Sequence, residues 1–462
     1  MKSSIKFFLI LIMSSFLFNL FGQYAQSESF KKTPDSDVTI NAMLSLLNGD
    51  KQKNKETLQH FNDTWEDGYL PLLLDVIYFS KRHVDDRPII KLIERKTGKR
   101  FGNDILRWLE WMWNNEPQNF TYQGEWMARI YEGIDPKFER YFKNRTQKSL
   151  IRLDEVRWGG VLQDGIPPLR NPKMLNANEA DYLADDNVVF GISINGDHRA
   201  YPKRILAWHE MFVDEIGGEP IAGVYCTLCG TVIAYNTKFD GKNYNLGTSG
   251  FLYRSNKLMY DKATQSLWNT IEGKPVIGPL INSDIELNSH SVVTTTWKKW
   301  KELHPSTKVL SLDTGHRRNY DEGFAYKDYF STDRLMFNVP ELDNRLLNKD
   351  EVLIVRASEY KNDPLAISAK FLARKRVYHD QIGSTKFVVL TDNSGANRVY
   401  ESGDYKFKKM KNETIKDADG ILWQIDEEKL SAPDGRTLKR LPYHRIFWFA
   451  WYNTFKNTRL VK

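Results

Sequence analysis

The apolar positions divide the chain into an apolar leader, a stretch with helical spacing and a long stretch of short strand-like runs. Residues 7–21 are almost wholly apolar, preceded by Lys2 and Lys6 and followed by Gly22-Gln23-Tyr24-Ala25. A basic start, an apolar run of about 15 residues and a small-residue exit form a secretory signal, predicted over residues 1–25. The run is shorter than the roughly 20 residues that span a bilayer. The alternative is an uncleaved N-terminal membrane anchor. No other segment is apolar enough for long enough to cross a membrane, so no span is expected once the signal is cleaved. Residues 26–37 are polar and read as a linker.

From residue 38 to 145 the spacing is helical. Ile105, Trp108, Leu109 and Met112 fall at i, i+3, i+4 and i+7, one face of a helix that Asn103 or Asp104 can cap. Ile89, Leu92 and Ile93 repeat the stripe after Pro88, with Gly98 as a stop, and residues 70–77 form a further apolar helix. These elements predict an all-α helical array. After Gly159-Gly160 the period changes. Residues 188–194 and 198–201 flank Asn195-Gly196, the turn of a β-hairpin. Residues 232–238 and 243–246 flank Asp240-Gly241, and residues 387–390 and 398–400 flank a third turn. Asp417–Gly420 followed by residues 422–425 repeats the pattern. Helices are expected over 202–216 and 293–303. The fold class is therefore α+β: an N-terminal all-α domain, then a largely antiparallel β domain with a few helices over 158–460.

Of the 462 residues, 41% are hydrophobic and 13% aromatic, enough large rings to build a substantial core. The net charge is +7, and two of those charges are the leader lysines. The remainder is too diffuse for a nucleic-acid footprint, so no nucleic-acid partner is expected. Trp108, Trp111, Trp113 and Trp126 leave open a protein partner or glycan docked on the helical domain. Two cysteines exclude a disulfide framework. In the oxidising periplasmic or extracellular space that the signal implies, such a pair is kept for a local reason.

That pair is Cys226 and Cys229, in Tyr225-Cys226-Thr227-Leu228-Cys229-Gly230. Strand-like runs on both sides place it at a tight turn, where glycine lets the backbone aim amides at the sulfurs. Three readings stand side by side: a metal knuckle, a redox dithiol, and a small structural disulfide. A knuckle supplies two ligands where a closed zinc site needs about four, while copper(I) accepts fewer and softer ones. His209 and Met259 are the candidates to complete a copper or zinc set with Cys226 and Cys229. Trp208, Glu210, Tyr225, Ser249, Arg254, Ser255, Tyr260, Asp261 and Trp268 are candidates for the wall of an adjoining polar pocket. No G-x-S-x-G, H-E-x-x-H or phosphate-cradling loop occurs, and no nucleophile stands with an evident base.

Several of these segments recur together in a known family. Trp158-Gly159-Gly160, Asp164-Gly165-Ile166-Pro167-Pro168, Ala200-Tyr201-Pro202, Trp208-His209-Glu210, the C-x-x-C-G run, Met259-Tyr260-Asp261 and Ser266-Leu267-Trp268 resemble the family called domain of unknown function 3179. Phe447-Trp448-Phe449-Ala450-Trp451 looks like the end of the same domain. The resemblance covers about residues 158–460. It implies an exported bacterial protein and no particular activity. Thr227 stands where the family usually has proline.

Overall fold

The structure, a computed structural model, describes residues 35–80, 85–115, 122–143, 148–411 and 414–462. The expected export signal and most of the expected linker lie outside the described residues.

Helices Asp35–Ser45, Lys51–Asp63, Tyr69–Phe79, Arg87–Thr97, Ile105–Trp113 and Gln123–Glu132 build the N-terminal region. Their ends follow local chemistry. The Asp50 carboxylate accepts from the Gln52 and Lys53 amides at 3.0 and 3.1 Å. Asp104 accepts from Arg107 N at 3.1 Å, and Gly98 leaves the fourth helix at φ +70°. The apolar stripes meet as the periodicity requires: Leu92, Ile93, Trp108, Leu109 and Met112 are buried together. Trp108, Trp113 and Trp126 are core residues, and Trp111 lies against Phe101 and Trp108.

The helical core does not end at the helices. Tyr131, Phe138, Tyr141 and Phe142 gather round Phe251, and Leu258, Leu267, Val276 and Ile277 belong to the same cluster. These last residues come from a sheet in the order Val156–Trp158, Leu246–Tyr253, Asn256–Asp261, Leu267–Asn269, Lys274–Ile277, antiparallel throughout. The two regions thus share one continuous core. A buried ion pair crosses the junction: Arg157 of the sheet meets Asp75 of helix Tyr69–Phe79, and Trp126 Nε1 donates to the same carboxylate at 3.0 Å.

Three more sheets complete the main β body. One runs Ser289–His290, Thr231–Asn236, Glu219–Cys226, Met211–Ile216, Leu169–Arg170. The next runs Val293–Thr296, Val188–Ile194, Asp197–Pro202, Lys308–Leu310, Met174–Asn176. The third runs Tyr443–Phe447, Glu351–Val355, Leu365–Ser368, Arg459–Val461. Smaller meanders of three and five strands occupy 377–401 and 407–439. The expected hairpin at Asn195-Gly196 forms, with φ +49° and +77°. At Asp240-Gly241 only Lys238–Phe239 and Lys242–Asn243 pair, because Thr231–Asn236 and Leu246–Tyr253 are each taken up by other sheets.

Two expected helices are shorter than the sequence suggests. The helix over 202–216 stops at His209, because Glu210 adopts φ +54° and the chain turns into strand Met211–Ile216. The helix over 293–303 begins only at Trp297. Its first residues, Val293–Thr296, form an edge strand, as a β-branched run prefers.

Asp75→Ala strands the Arg157 guanidinium in the shared core without a counterion. The expected loss is about 3–5 kcal/mol, read as a lower denaturant midpoint in equilibrium unfolding. A midpoint unchanged from the parent would show that the pair does not join the two regions.

Candidate functional site

Cys226 ends strand Glu219–Cys226 and pairs with Thr231, so Thr227–Gly230 is the turn of a β-hairpin. Cys229 N donates to Cys226 O at 3.1 Å and Gly230 N to Thr227 O at 3.3 Å. Gly230 has φ +61°, and a Cβ there would sit 2.5 Å from the Phe447 ring. Backbone conformation and space both require glycine. Phe447 N donates to Cys229 O at 2.8 Å, and Tyr329 OH to Leu228 O at 2.7 Å. Segments distant in sequence therefore hold the turn from outside.

A second hairpin presses on the sulfurs from the other side. Strands Leu246–Tyr253 and Asn256–Asp261 are joined by Arg254 and Ser255, at φ +50° and +63°. Two successive left-handed residues twist a two-residue hairpin correctly, and glycine or asparagine is the ordinary choice. Here the unfavourable conformation is held by anchoring: Arg254 pairs with Glu155 and donates to Asn453 O at 2.6 Å. The turn brings Ser255 O and Asn256 Oδ1 to 3.7 and 3.4 Å from Cys229 Sγ. It also brings the Lys257 backbone N–H to Cys226. Backbone strain of this kind persists where the surroundings over-determine it, commonly at functional sites.

Lys257 and Glu210 form a buried ion pair beside Cys226, each 6% exposed. Lys257 Nζ also reaches Glu210 O at 3.3 Å, and Tyr326 OH donates to Glu210 Oε1 at 3.0 Å. The left-handed turn that ends the helix at Glu210 puts this side chain there. A narrow cavity of about 60 Å³ is walled by Cys226, Glu210, Lys257, Tyr326, Met336 and Phe337. Cys229 does not line it.

The two sulfurs are therefore unequal. Burial raises the Cys226 thiol. The hydrogen bond from Cys229, the Lys257 amide and the Lys257 ammonium outweigh that and hold it below its ordinary value. Burial, the bond given to Cys226 and the charge on that sulfur push Cys229 well above its own. Neither cysteine is in a disulfide, and the one whose thiol is held low, Cys226, is the one that lines the cavity.

The remaining candidates divide sharply. His209 Nδ1 lies 3.0 Å from Pro167 O, a pure acceptor, so that nitrogen carries the proton and Nε2 accepts from Tyr320 OH at 2.5 Å. Burial pushes this imidazole down to about 4. It is neutral with both nitrogens engaged, and neither bond involves a sulfur. Met259 packs with Met211, Val224, Tyr235 and Trp268 in a core cluster separate from that of the cysteines. Among the described residues, no three His, Cys, Asp or Glu side chains are grouped to hold a metal. Trp208 donates to Asn319 O, Ser249 to Leu258 O and Tyr260 to Asp164. Asp261 accepts from the Ala263 and Thr264 amides and from Trp268 Nε1. These five residues fasten strands and turns. Glu210 and Ser255 join the sulfurs, Arg254 positions the turn, and Tyr225 lies on the far side of the hairpin.

Lys257, Asn256, Tyr326, Met336 and Phe447 are the site residues that spacing did not reveal. For Lys257 the need shows only in the structure, where it stands in a strand whose six positions are all buried and a lysine needs an anionic partner.

The family described as "Protein of unknown function (DUF3179)" matches residues 163–458. That is well over half of the chain, and the chain belongs to this family. Searches of the curated proteins and of the solved structures find no match.

Gly230→Ala is expected to destabilise the protein by at least ~2 kcal/mol, from the forced φ and the clash with Phe447. In a Phe447→Ala background only the backbone penalty of about 1 kcal/mol remains. Equal losses in both backgrounds, measured by thermal unfolding, would remove Phe447 from the account.

Proposed function

We propose that this member of the family uses Cys226 and Cys229 as a redox-active dithiol toward small oxidants of the hydroperoxide class. The observation that carries the reading is the placement of Cys226 on the wall of a 60 Å³ cavity, with Cys229 behind it in the same hairpin turn. A cavity of that size holds a few waters. It admits a hydroperoxide group and excludes a disulfide carried on another protein.

The Cys226 thiolate attacks the terminal peroxide oxygen. As the O–O bond breaks, the leaving oxygen takes a proton and departs as water or an alcohol, and Cys226 becomes a sulfenic acid. Cys229 then attacks the Cys226 sulfur, the S–S bond forms and water leaves with the second proton. Two thiols and one hydroperoxide become one disulfide, one water and one alcohol or water. Lys257 favours the ionised form of Cys226, and the Lys257–Glu210–Tyr326 chain fixes its ammonium in place. An exported location, supported by the N-terminal residues, would supply both the oxidant and the oxidising setting.

Titrating the reduced full chain with hydrogen peroxide is expected to remove both thiols and lower the mass by two hydrogens. Cys229→Ser should stop at the sulfenic acid, trapped by a dimedone-type reagent, and Cys226→Ser should not react. Lys257→Met should move the pH midpoint of Cys226 alkylation upward by about one unit or more, since it removes one of the groups that lower it. Thiols that survive excess peroxide, or a Cys226→Ser variant that still reacts, would overturn the reading.

A second reading has one observation in its favour: the Met336 thioether lines the same cavity as Cys226. Two thiolates and a thioether match the softness of copper(I) and leave a zinc site short of ligands. Copper held by Cys226, Cys229 and Met336 would supply one-electron chemistry. Competition with a colorimetric copper(I) chelator should then show one site per chain, weakened in Met336→Leu. Retention of zinc instead would count against it.

A further inference from the structure

Behind the cysteine hairpin lies a second cavity, of about 180 Å³, with Lys203, Tyr225, Thr294, Thr295, Glu351 and Arg445 among its walls. It backs onto the residues flanking the two cysteines, Tyr225 on one strand and Gly230 on the turn, but neither sulfur lines it.

Two of its donors have no acceptor. Tyr225 is 0% exposed and its hydroxyl has no hydrogen-bond partner. A buried hydroxyl left unpaired is costly, and such groups in folded proteins ordinarily find a partner. Lys203 Nζ lies 4.2 Å from the centroid of the Phe330 ring, and no carboxylate among the described residues lies within ion-pair distance of it. The other wall charges cancel, because Arg445 pairs with Glu351 at 3.0 Å. The cavity walls are left with one unbalanced positive charge and a second, neutral donor.

We infer that this cavity binds a small monocarboxylate, with one acceptor oxygen for Lys203 and one for Tyr225. A carboxylate has a single negative charge spread over two oxygens, and it matches one free cation and one free hydroxyl. A dianion would lack a second cation, since Arg445 is committed to Glu351, Asn397 and Gly395. The volume corresponds to about six waters at ~30 Å³ each, room for an acid of two or three carbons. Thr294 can serve a hydroxyl on the adjacent carbon. Burial lowers the Lys203 amine by more than the carboxylates of Glu351 and Glu322, neither of which pairs with it directly, raise it, and a bound carboxylate would raise it further. The inference does not depend on the dithiol chemistry.

Calorimetric titration of the reduced full chain with acetate and with lactate, at constant ionic strength, tests it. Both acids are expected to bind saturably. Lys203→Met should weaken binding by about tenfold or more and Tyr225→Phe by severalfold. Tyr225→Phe removes one oxygen from an unpaired group, so it retains the fold and keeps the test decisive should Lys203→Met fail to fold. Absence of saturable binding, binding unchanged in Tyr225→Phe, or phosphate binding as tightly as the acids would each overturn the assignment.

Discussion

A lysine and a glutamate buried together set the terms for everything around the two sulfurs. Removing either charge from water is unfavourable, and only close pairing with further hydrogen bonds makes the burial tolerable. Lys257 and Glu210 meet that demand through each other, the Glu210 carbonyl and the Tyr326 hydroxyl. The pair in turn dictates the backbone. Glu210 must leave its helix in a left-handed turn to present the carboxylate. Lys257 must follow a hairpin turn closed by two left-handed residues that are neither glycine nor asparagine.

The cysteine hairpin sits between these two constrained segments and takes its asymmetry from them. Lys257 offers its amide and its ammonium to Cys226, while Cys229 meets a carbonyl and an amide oxygen, both acceptors. One sulfur is surrounded by donors and the other by acceptors. No difference between the two thiols themselves is needed to hold one below its ordinary value and the other above it. The difference comes from which face of the hairpin each occupies.

The main divisions of the fold could be read in the sequence because they rest on local periodicity. The stripes at Ile89–Leu92–Ile93 and Ile105–Trp108–Met112 predicted helices and the Asn195-Gly196 turn predicted a hairpin, all of which form, while at Asp240-Gly241 only Lys238–Phe239 and Lys242–Asn243 pair. The helix over 202–216 failed at one residue, Glu210, whose conformation is set by a lysine almost fifty positions later. The site was legible only at its centre. Cys226, Cys229 and Glu210 were visible as a motif and its neighbour. Lys257, Tyr326 and Phe447 reach the motif through the folded sheets, and no spacing rule connects them. His209 was drawn in by proximity in sequence, yet its helix end turns the ring to Pro167 and Tyr320. The join between the helical and β regions was also invisible, because Phe251 reads as one more strand residue until the aromatics of Gln123–Glu132 and Glu139–Phe142 surround it.

Phe447 has one further consequence. Its amide closes the cysteine turn and its ring covers Gly230, yet it belongs to nearly the last strand in the chain. During synthesis the residues of the cysteine hairpin emerge long before those of the strand that carries Phe447. The loop that must close to bring Phe447 onto Gly230 and the Cys229 carbonyl encompasses nearly half of the chain. The contact that fixes the cysteine turn from outside is therefore among the last that the growing chain can make.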